Sequence, residues 1–179
     1  MRGPVVVCSL VVVSACASSG GLPEQRPAQQ TIEVGGMPGK LTVNSSSTAN
    51  VTKVALPIEQ VWRVLPATFD SLGVPITRLE PAKHLIGNEG FKLRQRLGKT
   101  TLSRYLDCGT TQIGANADSY DVYLTVITQL QPGDAGVTTV STTFEALARP
   151  IAFAQDYSKC SSKGLFESRL VELVKAQVK

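Results

Sequence analysis

The sequence predicts an α+β domain: a single antiparallel sheet with two amphipathic helices packed on one face. Three observations predict it. Residues 120–131 (YDVYLTVITQLQ) alternate with period two, and residues 137–149 return after a Pro132-Gly133-Asp134 turn, so the two runs read as a long hairpin. Two stripes at helical spacing flank the strand-rich middle, one from Ile58 to Leu72 and one from Phe166 to Val174. No alternation of strand with helix calls for a parallel sheet. A chain of 179 residues, 42% hydrophobic and 18% charged, suits one globular core rather than a disordered or fibrous protein.

The N-terminal elements come first. Arg2 precedes a twelve-residue apolar run, residues 4–15, that ends in small side chains, the layout of a secretory signal. A membrane-spanning helix needs about 20 apolar residues; here the polar residues 17–30 follow at once. Those residues (ASSGGLPEQRPAQQ) have Leu22 as their one large apolar side chain and read as a flexible tether. Residues 31–50 hold two short alternating runs around Gly-Gly-Met-Pro-Gly and read as a hairpin or as more linker. The α+β domain is expected over residues 51–179.

Within it, residues 51–56 alternate as a strand and run into Pro57, which suits the first turn of a helix because its missing N–H has no helical partner there. Ile58, Val61, Trp62, Leu65, Phe69 and Leu72 form one stripe, and Gly73 can end the helix. Pro66 sits inside it and predicts a kink or a helix in two pieces, at about 3 kcal/mol if uncompensated. Residues 74–79 and 85–97 read as strands around a Glu80-Pro81-Ala82 turn, and residues 98–119 are less regular. In the long hairpin, Tyr120, Val122, Leu124, Val126, Thr128 and Leu130 share one face, as do Val140, Phe144, Ala146 and Ala148. Ser162 suits an N-cap for the last helix, whose stripe is Phe166, Leu170, Leu173 and Val174.

Val13-Ser14-Ala15-Cys16, just after the apolar run, resembles the lipobox of bacterial lipoproteins. The resemblance implies that residues 1–15 are a lipoprotein signal peptide and that Cys16 is acylated and becomes the new N-terminus. Residues 16–30 would then be the lipidated cysteine with its tether. Each buried methylene contributes about 0.8 kcal/mol, so two or three acyl chains hold such a protein stably on a bilayer. Ala17 and Ser18, rather than Asp, follow Cys16; in an organism with two membranes this implies the outer membrane, facing the periplasm. Element order, size and the lipobox together resemble the helix-grip domains of the BamC family, lipoproteins of the outer-membrane protein assembly machine.

Cysteine usage agrees with an exported protein. Cys8 falls in the signal and Cys16 carries lipid, which leaves Cys108 and Cys160, 52 residues apart, for the folded domain. In an oxidising envelope the pair reads as one disulfide, with two buried free thiols as the alternative. A zinc site would need four ligands from two cysteines and the single histidine, His84, without CxxC or HxxxH spacing.

The strongest charge signal is Lys92, Arg94, Arg96, Lys99 and Arg104, with no acid among them. On one strand Lys92, Arg94 and Arg96 would share a face opposite Phe91, Leu93 and Leu97, a comb for anionic headgroups, glycans or an acidic partner. The same pattern also suits a solvated face or an edge charged against aggregation. A net charge of +4, interspersed along the chain, gives no nucleic-acid footprint. There is no GxSxG, HExxH or phosphate-loop motif, and His84 reads as a turn or strand-end residue. Asp107, Asp118 and Asp121 would be an acid–base kit only if they converged; turn and cap roles are commoner. The polar stretch 109–119 reads as a connector or a recognition loop. The expectation is thus a non-catalytic, lipid-anchored envelope protein without cofactor, touching the membrane through its acyl chains and binding an envelope protein. The alternative is a carrier whose cavity, lined by Trp62 and Phe69, holds a lipid or small apolar ligand.

Overall fold

Period-two alternation in the middle of the chain and two helical stripes at its flanks decide the architecture. The computed structural model describes residues 49–152 and 155–178. Signal residues 1–15, Cys16 with its tether, and residues 31–48 lie outside the described residues. The described chain begins with β1 (Asn50–Val54), α1 (Ile58–Leu72), β2 (Arg78–Glu80) and β3 (Leu85–Leu93). A run of short elements follows: β4 (Arg96–Leu97), β5 (Thr100–Thr101), α2 (Leu102–Tyr105), β6 (Leu106–Asp107), β7 (Thr110–Thr111), β8 (Gly114–Ala115) and α3 (Asn116–Ser119). The long hairpin of β9 (Asp121–Pro132) and β10 (Thr138–Arg149) leads to β11 (Ser158–Ser162) and α4 (Leu165–Gln177).

The main sheet has seven strands in the order β2-β3-β9-β10-β11-β6, with β1 also paired to β10, and every pairing is antiparallel. Alternation sorts its faces as expected. Val122, Leu124, Val126, Thr128 and Leu130 of β9 stand opposite Ala148, Ala146, Phe144, Thr142 and Val140 of β10, and all are buried. On this face the buried threonines pair with each other, Thr128 Oγ1 to Thr142 Oγ1 at 3.0 Å, so neither hydroxyl is left without a partner. α1 and α4 pack against each other and cover this face; Val61, Leu65 and Phe69 meet Phe166, Leu170 and Val174 in one core. The opposite face, including Tyr123, Thr125, Ser141 and Thr143, is half-exposed.

Several local expectations are corrected. α1 is one continuous helix through Pro66; the proline lies on the exposed side, so its ring meets solvent rather than the core. The left-handed Gly73 ends the helix as expected. Of the 74–79 run only Arg78 and Leu79 pair as a strand, which extends to Glu80. Residues 85–97 are not one strand: a bulge between Asn88 and Phe91 bends β3, which stops at Leu93, and β4 pairs separately with β5. Ser162 does not cap α4. It ends β11, a strand the sequence pattern does not suggest, while Gly164 occupies the cap position. Cys108 and Cys160 form a disulfide. Pairing of β11 with β6 brings the two cysteines together, so the bridge joins the end of the irregular segment to the strand that leads into α4.

Candidate functional site

The bend after β3 decides where the five expected bases go. Arg94 and Gln95 make the turn, Gln95 in the left-handed region at φ 63°, and this splits the comb into two groups.

The first group gathers on a buried carboxylate. Asp121, at the start of β9, is 5% exposed. Lys92 Nζ lies 2.6 Å from its Oδ2, and Arg94 Nε donates to its Oδ1. The Arg94 guanidinium, opposed by partial desolvation and helped by Lys92, holds the Asp121 carboxyl below its ordinary range. Beside this cluster Tyr123 and Tyr157 meet edge to face at 5.4 Å, and Arg149 lies over the Tyr157 ring at 4.8 Å. Burial pushes the Tyr157 phenol up, and the neighbouring Tyr123 acts in the same direction. Asp121 thus already neutralises part of the charge of Lys92 and Arg94.

The second group keeps its charge available. Arg96, Lys99 and Arg104 line a groove of about 510 Å³ with Arg169 of α4. Four cations face a single carboxylate there, Glu172, and none of the four forms an ion pair among the described residues. The groove is built on the core. Arg169 Nη1 donates to Thr100 Oγ1 at 2.7 Å and to the Tyr105 hydroxyl at 3.1 Å. Tyr105 is itself buried and meets Phe144 and Phe166 edge to face at 6.1 and 5.9 Å. A close glycine contact seats the loop: a Cβ on Gly73 would stand 2.7 Å from Gly98 Cα, and Gly98 has φ 55°. Only glycine lets the loop carrying Lys99 approach the end of α1 so closely. The guanidinium donors and the ammonium suit carboxylate or phosphate oxygens.

Nothing in the sequence singles out Arg169. It sits on the polar face of a helix, and helical spacing does not say which loop that face will meet. Arg149 and Tyr157 escape a sequence reading for the same reason, since the sheet end brings them together across a connection. The aspartates take structural bonds: Asp107 Oδ1 accepts from Gly109 N, and Asp118 Oδ1 from Ser103 N, each at 2.9 Å. His84 caps a short 3₁₀ turn and packs edge to face on Trp62 at 5.4 Å. Phe69 is completely buried in the core, and Trp62 is half-buried. Among the described residues no group of three metal-ligating side chains converges and no helix is long and apolar enough to cross a membrane. No protein-family model and no curated protein matches this chain.

Proposed function

We propose that this chain is a lipid-anchored, non-catalytic module of the cell envelope that binds an acidic segment of another envelope protein through the Arg96–Lys99–Arg104–Arg169 groove. The observation that carries the binding half is the groove itself, with four cations, one carboxylate, and Arg169 fixed by two hydrogen bonds. A positioned guanidinium loses less freedom on binding than a free one, and it pairs well with carboxylates. The anchoring half rests on the apolar run and Cys16. An assembly or scaffold role rests on the likeness to helix-grip domains of the outer-membrane assembly lipoproteins, which the order of strand, helix, antiparallel strands and helix supports.

Crosslinking capture from the native envelope tests both halves. The protein should retain one stoichiometric partner, with capture weakening as salt rises. The exposed triple variant Arg96→Gln/Lys99→Gln/Arg104→Gln should lose about tenfold or more of that capture, the scale of several charge-assisted contacts. Cys16→Ser should leave the membrane fraction. Equal capture by the triple variant removes the groove from the interface, and membrane retention of Cys16→Ser removes the lipid anchor. Co-purified lipid in place of a protein partner would transfer the assignment to a carrier.

A further inference from the structure

We propose that a cleft at the junction of β1, β10 and β11 binds an alkylammonium or guanidinium group, with Glu167 as its charge partner. Strand register creates the cleft. β1 pairs with β10 from Thr138 to Thr142, and β11 pairs with it from Ala146 to Ala148. Thr143, Phe144 and Glu145 therefore have no strand partner on that edge. β11 turns away after Cys160 because Ser161 and Ser162 pair with Asp107 and Leu106 of β6. The disulfide holds that departure in place. What remains is a cleft of about 770 Å³ whose lining includes Val51, Phe144, Glu145, Cys160 and Ser162.

Glu167, in the first turn of α4, also lines the cleft and is 5% exposed. Its Oε1 accepts from Ser162 Oγ at 2.8 Å. Its Oε2 is buried and has no hydrogen-bond partner among the described residues. A carboxylate oxygen taken from water without a donor is costly, and a donor arriving through the cleft removes that cost. Neither lysine of the cleft bonds Glu167: Lys163 Nζ donates to the Ser103 carbonyl at 2.8 Å, and Lys159 Nζ lies 3.9 Å from Glu145 within the cleft. Together with Glu145 and Glu167 they cancel in formal charge, so selection rests on the contact at Glu167 rather than on a long-range field. A cationic N–H donor makes a stronger bond to that oxygen than a neutral one. Phe144 offers an apolar surface for a methylene stem. Free amines and the basic side chains of a peptide share this chemistry. The cleft shares no residue with the basic groove and attracts the opposite charge, so either assignment can fail alone.

Calorimetric titration of the full chain in detergent with three probes decides the matter: n-butylamine, acetyl-Ala-Lys-Ala-amide, and the same peptide with neutral norleucine for Lys. The lysine peptide should bind about tenfold or more tightly than the norleucine peptide, the discrimination expected of one charge-assisted bond. Glu167→Gln should lose that preference while Lys159→Ala keeps it. Gln keeps the oxygen that accepts from Ser162, and the comparison of probes on the unaltered protein needs no variant at all. Butylamine binding as tightly as the lysine peptide assigns the site to free amines; tighter peptide binding assigns it to a basic side chain of a partner segment. Equal binding of norleucine and lysine peptides, unchanged binding by Glu167→Gln, or no binding of either cation overturns the proposal.

Discussion

At the scale of single residues, Asp121 shows how a carboxylate of ambiguous meaning in the sequence acquires one role. It starts the central strand, lies almost out of solvent, and is covered by Lys92 and Arg94 rather than by apolar side chains. Removing both cations in Lys92→Ala/Arg94→Ala would leave that carboxylate buried without a partner, the costly arrangement for a charge. The variant should unfold at lower urea than the wild type near neutral pH. The sign of the pH effect follows from the lowered carboxyl: its stabilisation is present above the ordinary carboxylate range near about 4 and is lost as pH falls through the lower folded value. The gap between variant and wild type should therefore close in acid, read from urea midpoints across a pH series. A gap that stays constant would assign the effect to lost packing of the lysine and arginine stems.

At the scale of elements, α1 carries an internal conflict. Its stripe is continuous and its C-cap glycine is in place, yet Pro66 removes one helical hydrogen bond. Tertiary burial of Val61, Leu65 and Phe69 outweighs the local defect. Pro66→Ala should raise stability by about 2 kcal/mol, the helix-interior cost of proline less its restriction of the unfolded chain, as measured by urea denaturation; no gain would mean that the helix already accommodates the missing bond. Long elements are legible because their patterns are long: β9, β10 and both packed helices follow period two or 3.6 over three turns or more. The comb misleads because a two-residue turn at Arg94 and Gln95 interrupts an otherwise strand-like run, and short runs do not distinguish one bent strand from two. β11 is invisible in the sequence because SKCSS has one buried side chain, Cys160, among polar neighbours. The two sites depend on distant segments brought together, Arg169 bonded to Thr100 and Glu167 lining one cleft with Phe144 and Glu145 of β10, which no local pattern encodes.

At the scale of the whole molecule, one covalent link ties the irregular middle of the chain to the sheet and the last helix. The Cys108–Cys160 bridge closes a loop of 52 residues that contains the entire long hairpin. In the chain-entropy view a loop of this length restricts the unfolded chain by about 4 kcal/mol, and native strain or residual unfolded structure lowers the realised value. A domain of ordinary size is stable by only about 5–15 kcal/mol, so the bridge is a large share of what keeps the fold. Cys108→Ala/Cys160→Ala should therefore remain folded in the cold and lose about 2–4 kcal/mol in urea denaturation. Its steeper dependence on denaturant, if seen, would report a more expanded unfolded chain. The loss should not be confined to stability. β6 and α2 connect the bridge to Arg104 and Tyr105, and β11 connects it to Ser162 and Glu167, so both clefts have one wall fastened by the same bond. Hydrogen exchange in the double variant should accelerate first at residues 102–108 and 158–167, ahead of the central hairpin. Uniform acceleration across the sheet would mean that the bridge acts only on the unfolded chain and leaves the site walls to their own hydrogen bonds.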